Sequence, residues 1–200
     1  MWNRLRYTVW APFYDAMVNL AGFADARRES LTRLHLRSGD RLLIVGAGTG
    51  LDLEYVPSGV EITAIDVTPA MLDRLRQRAA RNRQRISVRL MDARRLDFAD
   101  AAFDAIVMHL ILAVMPEPER GIREAARVLK PGGRIVVFDK FLGNEERPSI
   151  RRRLLNAVTK ILFSDINLRF GPLLAGTALQ VERDQPSAFG GMYRVITLLK

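Results

Sequence analysis

Apolar residues change their spacing several times along this chain, and each change marks an element. In residues 1–37, Trp2, Leu5, Val9, Phe13, Met17 and Leu20 recur near one face at helical spacing, with Pro12 interrupting. From Arg41 the spacing collapses into short unbroken runs. Residues 42–45 form the first and end in glycines, as a parallel strand buried on both faces would. Residues 62–65 form the second and end at Asp66. Thr68 is the expected N-cap and Pro69 the first position of a helix reaching about Arg83. Strands follow at 86–91, ending at Asp92, and at 103–109. A helix over 118–129 stops at Lys130-Pro131-Gly132-Gly133, and a fifth strand spans 134–138. Residues 151–170 have helical spacing through Leu155, Val158, Leu162 and Ile166, and 180–184 and 193–199 read as two closing strands.

Strands alternating with helices imply right-handed crossovers and a mostly parallel sheet covered on both faces. The expectation is a single α/β domain over 1–200, with 1–37 as an N-terminal helical cap and 38–200 as the core. A chain of 200 residues suits one domain and needs no staple to fold. Cysteine is absent, which excludes a disulfide framework, a thiolate metal site and a cysteine nucleophile. With only His35 and His109, a multi-histidine metal centre is excluded too, so no metal is expected. The charge is the unusual number: 31 basic against 22 acidic residues, net +9. Such a balance admits nucleic acid, an anionic membrane or an anionic substrate. The opening residues lack the apolar core and cleavage site of a signal peptide, and the longest apolar stretch, 105–115, is too short to span a bilayer. A cytoplasmic protein is expected, with peripheral contact at the inner membrane surface as a further possibility.

Open sheets of this kind bind ligands beyond the carboxyl ends of their strands. The first end carries Gly46-Ala47-Gly48-Thr49-Gly50, where glycines let the backbone turn tightly and a ligand approach closely. A dinucleotide fingerprint needs a glycine at position 51, where Leu51 sits, so the turn suits a ligand without a pyrophosphate better than NAD. Asp66, ending the second strand, can accept hydrogen bonds from a ribose diol. Asp92-Ala93, ending the third, offers an acceptor for an exocyclic amine. His109 ends the fourth. Each feature alone has a bland reading: a turn, a loop start, a satisfied interior histidine. Four strand ends in order carry the stronger argument.

Taken together, LLIVGAGTGLDL, AIDVTPAML, MDARRLDFADAAFDAIVM and RVLKPGGRIVVFD resemble the motif set of class I S-adenosylmethionine-dependent methyltransferases, over about residues 7–139. The resemblance implies a Rossmann-like seven-stranded sheet with helices on both faces and a reversed last strand, supplied here by 193–199. It implies S-adenosyl-L-methionine as cofactor, with Gly46, Ala47, Gly48, Thr49 and Gly50 against its methionine part and Asp66 on the ribose. Val67 and Met71 would flank the adenine, Asp92 and Ala93 would bind its edge, and His109 and Leu110 would sit beside the sulfonium. Tyr7 and Tyr14 complete the expected cofactor set.

The N-terminal stretch is similar to two lipid-handling groups. Tyr7, Trp10, Ala11, Pro12, Tyr14 and Asp15 match the soluble bacterial phosphatidylethanolamine N-methyltransferases. Tyr14, Asp15, Asn19, Leu20, Arg27 and Arg28 match the ubiquinone/menaquinone C-methyltransferases. Asp139-Lys140-Phe141 stands where the phospholipid enzymes carry Asn-His-Phe or similar. The aromatic N-terminus with Arg4 and Arg6, and the run Arg151-Arg152-Arg153, fit an interfacial surface facing anionic lipid. Arg74, Arg78, Arg81 and Arg85 line one helix face and read as a solvated stripe; without interleaved aromatics they argue against nucleic acid. The expected acceptor is thus small or amphiphilic, a phospholipid amine first and a quinone precursor second. A non-catalytic cofactor-binding module is the alternative of another class. For catalysis His109 is expected to take the acceptor's proton, Tyr14 to orient the acceptor and Lys140 to pair with an acceptor phosphate.

Overall fold

The computed structural model describes residues 23–142, 167–188 and 191–200. The expected helical pattern over 2–20, Tyr7 and Tyr14, and most of the helix expected over 151–170 lie outside those residues. Among the described residues the order begins with α1 (Phe23–Thr32) and β1 (Arg41–Val45), then a short 3-10 helix (Leu51–Tyr55) and β2 (Glu61–Asp66). It continues with α2 (Pro69–Arg81), β3 (Ile86–Leu90), β4 (Phe103–His109), α3 (Pro118–Val128) and β5 (Leu129–Lys140). A second 3-10 turn (Gly171–Leu174), β6 (Gln180–Pro186) and β7 (Tyr193–Leu199) close the fold.

The seven strands form one sheet in the order β3-β2-β1-β4-β5-β7-β6. β1 pairs in parallel with both β2 and β4, and β4 with β5, whereas β7 runs antiparallel between β5 and β6. This is the seven-stranded Rossmann-like sheet with a reversed last strand. The alternation of side chains decides which layer each strand residue joins. On one face Leu43, Val45, Ile65, Ile106, Met108, Ile135 and Val137 pack with Ile122, Ala125 and Val128 of α3. On the other, Leu42, Ile44, Ile62, Ala64, Ala105, Val107 and Val136 pack with Leu75 and Ala79 of α2 and Leu31 of α1. Burial of such Leu, Ile and Val side chains contributes roughly 1.5–3 kcal/mol each. Both faces being covered explains why the strands read as unbroken apolar runs.

The sheet's two edges differ from its centre. β3 alternates half-buried Ile86 and Val88 with exposed Ser87 and Arg89, and ends at Leu90, 56% exposed. β6 is exposed over most of its length. One expected boundary is corrected. Pro131, Gly132 and Gly133 do not separate helix from strand, because β5 already begins at Leu129. The register jumps there, from Phe103 opposite Leu129 to Ala105 opposite Arg134. The bulge is stitched by the C-terminus: Gly132 N donates to Lys200 O at 2.8 Å and Lys200 N to Gly133 O at 3.1 Å. Thr68 occupies the N-cap of α2 with extended backbone, yet its side chain makes no capping hydrogen bond and turns instead to Asp66.

Candidate active site

The glycine turn leaves β1 through three residues in the left-handed region, Gly46 (φ +66°), Gly48 (+54°) and Gly50 (+83°). That conformation costs an L side chain energy that glycine avoids. Gly46 has a second reason: a Cβ there would lie 2.7 Å from Ile111 Cδ1, which comes down from the loop after β4. Ala47 N donates to Ile65 O at 2.9 Å, holding the turn against the end of β2. Thr49 is buried behind it.

Asp66 locks this turn. Its Oδ2 accepts from Gly48 N at 3.0 Å and its Oδ1 from Thr68 N at 2.8 Å. Burial pushes the Asp66 carboxyl up, only partly offset by the N–H groups that reach it. Each oxygen retains capacity to accept a further hydrogen bond. Val67 is half-buried beside it, and Met71 is buried on the first turn of α2. Arg78 is not merely solvated. Its Nε donates to Thr49 O at 3.1 Å and its guanidinium meets Glu54 at 2.8 Å, bracing α2 against the turn. Arg81 and Arg85 are exposed, as expected.

At the third strand end, Arg94 forks onto Asp92: Nε lies 3.1 and 3.2 Å from the two oxygens, and a terminal nitrogen 2.7 Å from Oδ2. Arg94 also meets Glu117 at 3.0 Å, and Ala93 is buried. The Asp92 carboxylate is therefore shared with a guanidinium before any amine arrives.

His109, at the end of β4, is deeply enclosed. Its side chain is 1% exposed, and both ring nitrogens are engaged. Nδ1 lies 2.7 Å from Asp52 Oδ1, and Nε2 shares a hydrogen bond with Ser30 Oγ at 2.9 Å. Arg27 closes the set with a 2.5 Å contact to the same Asp52 oxygen. Among the described residues both ring nitrogens are thus occupied by Asp52 and Ser30. Burial alone would push Asp52 up, but the charges and hydrogen bonds of Arg27 and His109 reverse this and hold it well below the usual carboxylate range. Asp52, Arg27 and Ser30 were absent from the sequence-derived site. The available signal was Arg27 and Ser30 sharing the buried face of α1 with Phe23, Ala26 and Leu31, and Asp52 lying between two leucines.

Leu110 follows His109 with φ +55°, and its N–H donates to Phe138 O at 2.7 Å. It packs toward Phe23, Leu51 and Phe138. Asp139, 1% exposed, accepts from Ala113 N at 3.1 Å and from Lys140 N at 2.8 Å, so it ties the loop after β4 to the end of β5. Burial pushes its carboxyl up. Lys140 ends β5 opposite Tyr193, half-buried.

The glycine turn, a carboxylate at each of the next two strand ends and a loop arching over Gly46 fit a nucleoside bearing an amino-acid tail. Known proteins agree. A methyltransferase-domain family matches residues 43–137. The phosphatidylethanolamine N-methyltransferase of Cereibacter sphaeroides is 32% identical over 190 residues, covering 94% of this chain and 92% of that protein. The demethylmenaquinone methyltransferase of Deinococcus radiodurans is 33% identical over 174 residues, covering 84% and 69%. In fold, the geranyl diphosphate C-methyltransferase of Streptomyces coelicolor A3(2), solved with S-adenosyl-L-homocysteine, superposes with a TM-score of 0.69 at 18% identity, covering 87% of this chain and 78% of that one. The chain belongs to the S-adenosylmethionine-dependent methyltransferases.

Proposed function

We propose that this methyltransferase acts on the amine of a phospholipid headgroup, with phosphatidylethanolamine as acceptor. The observation that carries this reading is the end-to-end similarity to the Cereibacter sphaeroides enzyme, which leaves only 8% of that protein unmatched. C-methylation of a quinone precursor is the second reading, favoured by the 33% identity to the Deinococcus radiodurans protein.

S-adenosyl-L-methionine supplies a methyl group already activated on a sulfonium, so the protein's work is to bind, align and exclude water. In this proposal Gly46, Ala47, Gly48, Thr49 and Gly50 form the wall for the amino-acid tail, and Asp66 accepts from the ribose hydroxyls. Val67 and Met71 line the adenine, Ala93 offers a backbone bond, and Asp92 accepts from the adenine amine while sharing its charge with Arg94. Leu110 and the buried His109 set the end of β4 beside the methyl group. Tyr7 and Tyr14 belong to the cofactor set, with Tyr14 closing over the cofactor and orienting the acceptor and Lys140 meeting the acceptor's phosphate. The amine reaches the site neutral, its proton lost to solvent, since His109 is enclosed.

The test is incubation with labelled S-adenosylmethionine and separate acceptors: phosphatidylethanolamine in phosphatidylcholine vesicles, demethylmenaquinone, and small amines. Methylated phosphatidylethanolamine identified by mass supports the reading. Methylated quinone with unmodified lipid transfers the assignment to the second.

A further inference from the structure

Four buried polar side chains from three elements meet beside the cofactor turn. Arg27 and Ser30 come from α1, Asp52 from the 3-10 helix that leaves Gly50, and His109 from the last position of β4. Their exposures are 5%, 0%, 4% and 4%. Asp52 Oδ1 is the hub, 2.5 Å from the Arg27 guanidinium and 2.7 Å from His109 Nδ1, while His109 Nε2 reaches back to Ser30 at 2.9 Å. The chain of contacts thus leaves α1, crosses the turn's exit and β4, and returns to α1 one helical turn later.

Buried ion pairs are poor instruments for stability alone, because apolar residues of similar volume often do as well. They differ from apolar packing in being directional: a carboxylate held by a guanidinium and an imidazole fixes angles as well as distances. Apolar contacts to α1 already exist through Phe23, Ala26 and Leu31. What the polar network adds is a defined rotation of α1 relative to the glycine turn and the end of β4. In the sequence α1 follows residues 1–22, which include Tyr7 and Tyr14.

We propose that Asp52 is a positioning residue for methyl transfer, acting through Arg27 and His109 to set α1 against the cofactor turn. It acts on alignment of the acceptor and not on cofactor affinity. The consequence for acceptor alignment rests on the proposed function, but the orientation of α1 does not, and the experiment separates the two.

The chain has no cysteine, so paired spin labels are clean. Arg28→Cys on α1 and Asp73→Cys on α2 provide exposed sites, with side chains 65% and 66% exposed. The labelled pair is compared with the same pair carrying Asp52→Asn, and carrying Arg27→Met with Asp52→Leu, the apolar replacement that leaves no buried charge. Binding of S-adenosyl-L-homocysteine is followed by calorimetry, and turnover is measured with phosphatidylethanolamine vesicles. The expected result is a narrow distance distribution in the parent and a broadened or shifted one in the apolar double variant. That variant still unfolds cooperatively and binds S-adenosyl-L-homocysteine within about threefold of the parent. Its kcat falls on the order of 10²-fold, the scale of a misplacement of about 1 Å. An unchanged distance distribution, or a loss confined to cofactor affinity, overturns the proposal. Should the parent not methylate phosphatidylethanolamine, the acceptor reading fails, and the distance distribution alone decides the positioning role.

Discussion

Asp66 accepts from Gly48 N and Thr68 N with its two oxygens, so one side chain shapes the glycine turn, and in the proposed function it also accepts from the cofactor's ribose. Asp66→Ala removes both functions and is expected to weaken S-adenosylmethionine binding at least tenfold, about 1.4 kcal/mol, as read by calorimetry. Gly46→Ala forces a side chain into φ +66° and against Ile111. It is expected to lower stability by about 1–3 kcal/mol in denaturant unfolding. Adding Ile111→Ala should recover only the steric part. These residues were legible in the sequence because a strand-end glycine or carboxylate has few alternatives. Asp52 was not, since its partners lie 25 and 57 positions away and only the packing of α1 reveals them. Asp52 also predicts a pH dependence. Its carboxyl is held below the ordinary value, so its contribution is present above about pH 4 and is lost as pH falls toward the folded value. Asp66 and Asp139 have the opposite sign, with carboxyls pushed up, so their contributions fade as pH rises through the folded values. The parent should therefore lose more stability between pH 5 and pH 3 (about two units) than Asp52→Asn, compared by unfolding midpoints.

At the scale of elements, the sequence placed every strand of the sheet and two of the helices, because apolar runs and 3.6-residue spacing are local signals. It misjudged β5 because Lys-Pro-Gly-Gly is chemically a loop. The strand continues through it only because Lys200, far along the chain, supplies the pairing. The 3-10 helix at Leu51–Tyr55 was missed for a related reason: five residues carry too little periodicity to register. α3 shows how an element is fixed from its far end. The Arg127 guanidinium reaches Glu124, Asp100, and the carbonyls of Leu96 and Phe98, at 2.7–3.0 Å. One cation therefore fastens the helix to the whole segment between Asp92 and β4, and those partners hold it charged. Arg127→Ala is expected to cost about 2 kcal/mol, measured by chemical denaturation, with cofactor affinity little changed because the clamp lies at the opposite end of β4 from His109.

Across the whole molecule the positive charge separates into two populations. Arg27, Arg33, Arg78, Arg94, Arg127 and Arg134 are bound into the fold by carboxylates. Between Asp73 and Asp92 seven arginines occur without an intervening acidic residue; Arg76 pairs with Asp73 and Arg78 with Glu54, while Arg81, Arg83, Arg85 and Arg89 lie exposed. Among the described residues no helix is long and apolar enough to cross a membrane. If the enzyme meets its acceptor at a bilayer, binding to vesicles should rise with their anionic lipid content and fall with added salt, measured by sedimentation. A different consequence follows from where the arginine run ends. Among the described residues β3 is an outer strand with no neighbour on its far side, and such a border invites another chain to add itself on. A second copy docking there would bring Arg89 and its neighbours against their own duplicates. The opposite border, β6, meets a newcomer with Glu182, Arg183 and Asp184. Like charge at the β3 border, and at the β6 border Glu182 paired with Arg134 and Asp184 with Arg194, disfavour the addition of a further strand at either edge.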